Sequence, residues 1–433
     1  MLPASSCAAT LSVSPWRFLL SVIAAIEALN FGLDHLAAAA RRRGHGLVLL
    51  TADRSRYLHE LALAAPGSLT VVDVDTDDAD RVLAVLRDMP GGVAGVLRMV
   101  DTVSDQAIHV ARQLGLPHAD PAAVALLRDK GGFREHLRSH GLSRVRSQVF
   151  DPAASSAADD LVPFLDFPCV VKDVAGAGSR NVWLVRDKEE FTDVLEAARR
   201  SVSLGGRPLT AETYLIGPMY SAETLTWDGQ TRLLGVCSRT LSPEPDFREE
   251  SASFPVALPD ALEAEIREHV SRVLASVGYR HGFTHTEFIR TAEGVETVEV
   301  NPRLGGVVIG ELMRRAAGLD VHQALVEMAL GERPALMDMV PPPPTGAAAV
   351  GLYAPEPGIV ASVEGGPTLA KHPGSPRLYP VQDRGSRIDS ISDQRGLVSI
   401  VLTEGETAEL ALHHAWSAAG KVRVRIVPDV TTG

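Results

Sequence analysis

Between residues 17 and 118 the chain repeats one pattern: a short, apolar run, then a longer segment whose apolar residues recur with helical spacing. The runs at 18–23, 47–51, 69–74 and 93–97 read as strands, and 33–43, 54–64, 78–88 and 104–114 as helices. Strands alternating with helices at this spacing imply an open α/β domain with a parallel sheet. No G-x-G-x-x-G occurs in it, so a dinucleotide site is not indicated. The first fifteen residues, rich in Ser and Ala, carry no pattern.

The texture changes after Asp120. Residues 122–140 read as one helix containing Lys130. A buried strand at 167–172 ends in Lys172 and is followed by the turn Gly176-Ala177-Gly178-Ser179 and a strand at 182–185. A helix at 191–201 precedes strands at 210–215 and 220–226, which flank Gly217-Pro218. An amphipathic helix at 262–277 leads to a hairpin, 282–290 and 295–301, then helices at 311–317 and 322–330. Four consecutive prolines at 341–344 favour extended geometry, and residues 346–430 read as a small α+β unit. There are no internal repeats.

At 433 residues the chain is long enough for two to four domains. Its 45% hydrophobic and 22% charged composition is that of a globular protein. A formal net charge of −12 argues against a non-specific nucleic-acid binder. The cysteines Cys7, Cys169 and Cys237 are far apart and form no metal or disulfide pattern, which points to the cytoplasm. The apolar run at 18–29 contains Glu27 and falls short of the roughly 20 residues a membrane span needs. No small-residue cleavage site follows it, so secretion is not expected.

The hairpin carries the strongest chemical signal. Glu287 lies on its first strand; Glu299 and Asn301 lie on its second, within Val298-Glu299-Val300-Asn301-Pro302-Arg303-Leu304-Gly305-Gly306. Positions two apart on a strand share a face, so Glu299, Asn301 and Arg303 can point the same way, with Glu287 alongside. Two carboxylates and an amide oxygen suit Mg²⁺ bridging phosphates, and a neighbouring arginine would stabilise a transferring phosphoryl group. Glu293 and Glu296 fit a solvated hairpin edge. Glu299, in an apolar strand, would be costly without a partner. Lys172 faces a glycine turn able to fold closely over phosphates. A surface lysine beside a flexible turn has the same sequence. Lys130 alone reads as solvated, and Glu212-Thr213-Tyr214-Leu215 as an ordinary strand and turn.

Taken in order, these pieces resemble the ATP-grasp superfamily from about residue 17 to 430. The resemblance implies an α/β ATP-grasp fold with an N-terminal open parallel α/β domain and a small lid domain carrying the glycine loop. A C-terminal α+β catalytic domain with a terminal subdomain would complete it. The corresponding expected spans are 1–118, 119–215 (central and lid region), 216–340 (catalytic region) and 346–433. It implies ATP and Mg²⁺ (or Mn²⁺) as cofactors. Lys130 and Lys172 would hold the nucleotide phosphates. Gly176, Gly178 and Ser179 would cover them, and Glu212 and Leu215 would read adenine. Glu287, Glu299 and Asn301 would hold the metal, and Arg303 would act on the phosphoryl group. Met219 stands where the family often has a ribose-binding glutamate; Glu223, four residues on, is the candidate substitute.

The Asn-Pro-Arg-Leu-Gly-Gly string is most similar to the carboxylate–amine ligases that join amino acids. That likeness implies an amide or peptide bond made through an acyl phosphate, with ADP and phosphate released. Gly305 and Gly306 would hold the substrate carboxyl or acyl phosphate. Glu250, in an acidic loop before the 262–277 helix, would meet the substrate amino group, although Ser253 stands where the group often has histidine. Val307 would set pocket size; valine leaves space for a carboxylate substrate larger than alanine. Expected partners are small-molecule carboxylates and amines, without nucleic acid or membrane, and a homodimer is carried as an open expectation. A biotin-carboxylase-like enzyme, a purine-pathway ligase and a non-catalytic nucleotide-binding regulator remain as alternatives. The first would want a basic cluster beyond Cys237-Ser238-Arg239, and the second Pro-Arg-Pro-His where Pro302-Arg303-Leu304-Gly305 stands.

Overall fold

The computed structural model describes residues 21–154, 165–201 and 204–429. Its first sheet is parallel: β1 (Val22–Ile26), β2 (Gly46–Thr51), β3 (Leu69–Asp73) and β4 (Val93–Leu97), in the order β3-β2-β1-β4. Every residue of β1 and β2 is buried, because helices such as Leu33–Arg42 cover the sheet. That helix buries Ala37, Ala39 and Ala40, small side chains that let its backbone lie close to the strands. Among the described residues the first strand starts at Val22, within the run expected from 18. A continuous apolar run has no internal period, and pairing of Val22 with Gly46 sets the register instead. Residues 18–20, the patternless first fifteen and Cys7 lie outside the described residues.

The helix expected over 122–140 is two helices, Pro121–Arg128 and Lys130–Ser139. Asp129 leaves helical geometry (φ −84°, ψ 93°) and its carboxylate accepts from the Gly132 amide, capping the second helix. A Cβ at Gly132 would run into the capping Asp129 carboxylate, so the cap closes around glycine. The break makes Lys130 the first residue of a helix.

A four-stranded antiparallel sheet follows, in the order β5-β8-β6-β7: β5 (Ser147–Phe150), β6 (Cys169–Asp173), β7 (Val182–Val185) and β8 (Leu209–Thr213). It has its own apolar core around Val171, Val185, Phe191 and Leu195.

The largest sheet has eight strands, ordered β13-β12-β9-β10-β11-β14-β18-β16. They are β9 (Met219–Trp227), β10 (Gln230–Leu241), β11 (Glu249–Phe254), β12 (Gly282–Thr291), β13 (Gly294–Asn301), β14 (Gly346–Tyr353), β16 (Arg377–Pro380) and β18 (Leu397–Gly405). Three of these, the edge strand β16 together with β10 and β11, were not expected. β10 is mixed in polarity and interrupted by Gly235; β11, Glu-Glu-Ser-Ala-Ser-Phe, has no β-branched residue, and was read as an acidic loop. Pairing with neighbours on both sides makes β10 and β11 strands. The remaining strands, β15 (Gly358–Glu364), β17 (Arg387–Ile388) and β19 (Arg423–Val427), form a sheet in the order β17-β15-β19.

One core joins the first sheet to the largest. Leu33 and Leu36 pack in the same cluster as Leu225, Phe254, Leu312, Met313, Val326 and Leu402. Contact is close enough that a Cβ at Gly95 of β4 would come 2.6 Å from the carbonyl oxygen of Ala329. The N-terminal wall of the molecule is therefore fixed against the large sheet. Among the described residues, no helix is long and apolar enough to cross a membrane.

Candidate active site

The site lies where the β12–β13 hairpin meets the four-stranded sheet and the loops leaving the parallel sheet. In the hairpin Glu287 pairs directly with Glu299, and His285 with Asn301. Alternation along each strand puts all four on one face. Asn301 Nδ2 donates to Glu299 Oε1 at 2.9 Å, which turns the amide oxygen outward beside the two carboxylates. Glu296, read as solvated, is buried and accepts from Ser143 Oγ at 2.8 Å and Arg144 Nε at 3.0 Å; Glu293 is exposed. The hairpin has a sealed face and an open one, and the alternation assigns Glu296 to the sealed side.

Lys130 is not solvated. Its Nζ lies 3.1 Å from Glu299 Oε2 and donates to the carbonyl oxygen of Gly176 at 2.8 Å. One ammonium thus ties the hairpin to the glycine turn. Burial disfavours its charge, but Glu299 more than compensates and raises its pKa. Burial conversely disfavours ionised Glu299, yet Lys130 and the Asn301 amide hold its carboxyl below the usual range. Lys172 is buried on β6, with Nζ 2.9 Å from Glu212 Oε2. Arg134, one turn after Lys130 on the same helix face, binds the same carboxylate at 3.0 Å and donates to the Val298 carbonyl at 2.6 Å. Glu212 therefore sits between two cations, while its Oε1 is buried with no partner among the described residues. Leu215 lies half-buried in the connection from β8 to β9.

The glycine turn is docked. Gly178 and Ser179 have positive φ, 64° and 58°. Ser179 Oγ donates to the Phe247 carbonyl at 2.7 Å, and the Gln394 amide donates to the Gly178 carbonyl at 3.2 Å. Gln394 Nε2 also donates to Glu249 at 2.9 Å, so the terminal region holds the turn against the head of β11. Glu250, the neighbouring acid, is paired with Arg248 at 2.9 Å, and Arg248 lies over the Tyr353 ring at 4.2 Å.

Arg303 follows β13. Its Nε donates to Asp101 Oδ2 at 2.5 Å, Nη1 to the Leu304 carbonyl at 3.1 Å and Nη2 to Asn301 Oδ1 at 3.4 Å. The Gly305-Gly306-Val307 turn then leads into the helix Ile309–Ala317, whose N-terminus has no side-chain cap. A Cβ at Gly305 would lie 2.7 Å from Ile309 Cγ2 and 3.0 Å from Glu223 Oε2, so only glycine fits. Gly306 faces Arg303, with Nη1 3.6 Å from the place its Cβ would occupy. Val307 has φ 55°, a left-handed conformation costly for a β-branched residue, and packs half-buried against the apolar core. Free amides, a guanidinium and a close-approach glycine turn together form a place for an anion.

Glu223 lies on β9, with its Oε2 buried and without a hydrogen-bond partner among the described residues. It is buried beneath Gly305 and takes hydrogen bonds from Ser221 Oγ at 2.8 Å and His285 Nδ1 at 2.6 Å. His285 Nε2 lies 3.2 Å from Glu287. The ring thus bridges the hairpin carboxylate and the acid under the glycine turn. Burial opposes charge on this imidazole, but Glu223 and Glu287 outweigh it and raise its pKa to about 9. The unfolded value is about 6.5. The resulting stabilisation is complete below about pH 6.5 and is lost as pH rises through about 9. Urea unfolding of the metal-free protein should lose on the order of 2–3 kcal/mol of stability across that window. His285→Gln should be less stable throughout and lack this slope; an unchanged slope would assign the titration elsewhere.

Sequence reasoning passed over Asp101, Arg134, His285 and Gln394. His285 had a signal, since it stands two residues before Glu287 on the same face. Arg134 had one as well, a turn after Lys130. Asp101 and Gln394 arrive from other sheets and carry none in their local sequence.

Comparisons with known proteins find likenesses in sequence and in fold. Residues 165–311, from before β6 into the helix after the glycine pair, match the family described as the ATP-grasp domain. Residues 351–427 match L-amino acid ligase C-terminal domain 2. The chain contains an ATP-grasp domain. This ATP-grasp chain shares its fold with the crystal structure of L-amino acid ligase from Bacillus licheniformis, with TM-score 0.77 and 20% identity over 94% of this chain and 98% of that one. It is 29% identical to carnosine synthase 1 of Gallus gallus over 60% of this chain and 30% of that protein. It is 27% identical to protein y4rH of Sinorhizobium fredii (strain NBRC 101917 / NGR234) over 70% of this chain and 62% of that protein. It spans less than two thirds of the length of these curated relatives.

Proposed function

We propose that the protein is an ATP-dependent carboxylate–amine ligase that forms an amide or peptide bond through an acyl phosphate and releases ADP and phosphate. The observation that carries this reading is the register-paired Glu287 and Glu299 beside Asn301 and Arg303, with the glycine turn that follows leading into an uncapped helix N-terminus. No cluster of three or more His, Cys, Asp or Glu side chains among the described residues encloses a metal by itself. Two carboxylates and an amide are instead the partial, all-oxygen shell that suits Mg²⁺ or Mn²⁺ sharing its other positions with phosphates. When bound, Mg²⁺-ATP supplies the phosphoryl group and neutralises its charge.

The chain's own residues do the rest. Lys130 and Lys172 offset phosphate charge, and Lys130 draws Gly176 toward the hairpin. Gly176, Gly178 and Ser179 exclude water from the acyl phosphate while the turn is docked. Glu212 and Leu215 line the adenine side. Arg303, Gly305 and Gly306 hold the carboxyl as it gains the phosphoryl group. Glu250 receives the amino group of the carboxylate substrate, and Val307 leaves room for a side chain larger than alanine.

The terminal match to L-amino acid ligases and the likeness to carnosine synthase favour small amino acids or related carboxylates over bicarbonate. The buried, unpaired Cys169 and Cys237 suit a reducing cytoplasm. The same reading carries the open expectation of a homodimer. The test is product analysis with Mg²⁺-ATP and panels of amino acids, with bicarbonate plus biotin as control. ADP, phosphate and an amide are expected, with carboxylates larger than alanine preferred. AMP and pyrophosphate, or turnover only with bicarbonate, would overturn the reading.

A further inference from the structure

We propose that Gln394 is a positioning residue that couples the two halves of the site, so that a filled carboxylate pocket holds the glycine turn closed over the nucleotide. The proposal rests on the ligase reading above. Gln394 opens a single 3-10 turn, Gln394–Gly396, between β17 and β18. Its backbone and its side chain serve different places. The amide donates to the Gly178 carbonyl of the glycine turn at 3.2 Å. Side-chain Nε2 donates to Glu249 Oε2 at 2.9 Å, beside Glu250. One residue thus touches the turn assigned to the phosphates and the strand end assigned to the carboxylate substrate.

The turn that carries Gln394 is firmly held. Asp393 is buried, caps the turn at the Arg395 amide at 2.9 Å and accepts from Ser390 Oγ at 2.9 Å. The Gly396 carbonyl accepts from the Ala354 amide at 2.9 Å, just past β14. The pocket side is tied to the same turn: Arg248 donates to the Ile391 carbonyl at 2.6 Å and to Glu250 at 2.9 Å, and Arg239 pairs with Glu249. The β10–β11 connection also grips the four-stranded sheet. Its Phe247 carbonyl takes Ser179 Oγ at 2.7 Å, and Glu244 takes the Tyr214 hydroxyl at 2.6 Å and Arg186 Nη2 at 3.1 Å. Neither of those contacts involves a β11 side chain, whereas Gln394 reaches one.

A ligand shifts a two-state element only as far as it prefers one of the states. The glycine turn is such an element: docked, it bonds to Gln394, Phe247 and Lys130; undocked, it bonds to water. An acid bound against Glu250 and Arg248 immobilises the head of β11, and through Glu249 the Gln394 side chain, so the Gln394 amide stands ready for Gly178. By linkage the docked turn strengthens binding of the acid by the same factor. The reaction benefits because an acyl phosphate reached by water reverts to acid and phosphate. Closure over an occupied pocket keeps that water out.

The test measures, by calorimetry on the full-length protein, the Kd of the magnesium complex of the β,γ-imido analogue of ATP. It is measured alone and with the amino acid that supports the fastest ADP release. In the unaltered protein that amino acid should tighten the analogue about 5–150-fold, the usual range for coupled sites. Gln394→Met keeps the length of the side chain and the backbone amide but loses the bond to Glu249. In this variant the analogue alone should bind as before, and most of the tightening should vanish. During turnover, phosphate released should exceed amide formed, as acyl phosphate is lost to water. Undiminished tightening in Gln394→Met would overturn the proposal, as would no tightening in the unaltered protein. Equal weakening of the analogue with and without the amino acid would make Gln394 a support for the turn alone and would overturn it too. Absence of ADP release with every carboxylate would overturn the ligase reading, and this proposal with it.

Discussion

Replacing Arg303 with alanine should lower kcat by about 10²–10³-fold, the loss seen when one preorganised donor is removed from a developing charge. Arg303 contributes to the site by reaching Asn301 and the glycine pair at once, so its guanidinium lies where the transferred phosphoryl group and the substrate carboxyl meet. Binding of ATP should weaken much less, because Lys130 and Lys172 remain. Single-turnover measurement of ADP formation separates the two. A near-normal kcat would remove Arg303 from the reacting centre.

The second large effect is expected from Glu299→Gln. It removes a charged, hard oxygen ligand and at the same time the counter-ion 3.1 Å from Lys130. The concentration of free Mg²⁺ giving half-maximal activity should rise by at least about 10–100-fold, since even indirect disturbance of a metal site costs that much. Saturating metal should recover part of kcat. Activity titrated against free Mg²⁺ at fixed ATP checks this; an unchanged midpoint would show that the hairpin does not bind the metal.

The parts of the molecule legible in the sequence are those where one local pattern has one physical solution. The alternating apolar runs before residue 118 gave a parallel sheet because nothing else buries them. The two-residue spacing of Glu299 and Asn301 gave a shared face because strands allow no other arrangement, and Glu287 does pair with Glu299. The illegible parts depend on neighbours distant in sequence. Glu249-Glu250-Ser251-Ala252-Ser253-Phe254 becomes a strand through β10 and β14 on either side. Glu223 has the right period for a sugar contact, but His285 and Gly305 fix where its carboxylate lies. The break at Asp129 was readable in principle, since an acid before two glycines is a capping signal, yet the flanking helical pattern hid it.

The sheets around the site are held to one another unequally, and this sets how the protein can breathe. Parting the parallel sheet from the large one would expose the apolar surface of Leu36, Met313 and Val326 to water. The antiparallel four-stranded sheet has a core of its own and meets the rest through polar contacts, Arg134 to Glu212, Lys130 to Gly176, Ser179 to Phe247 and Gln394 to Gly178. Its displacement is the cheap motion. Nucleotide exchange in the proposed ligase would therefore use that side, while the cleft between the parallel and the large sheets keeps its width. A drop in water activity or a rise in salt should then alter the rate of ADP departure well before it alters which acids and amines are joined.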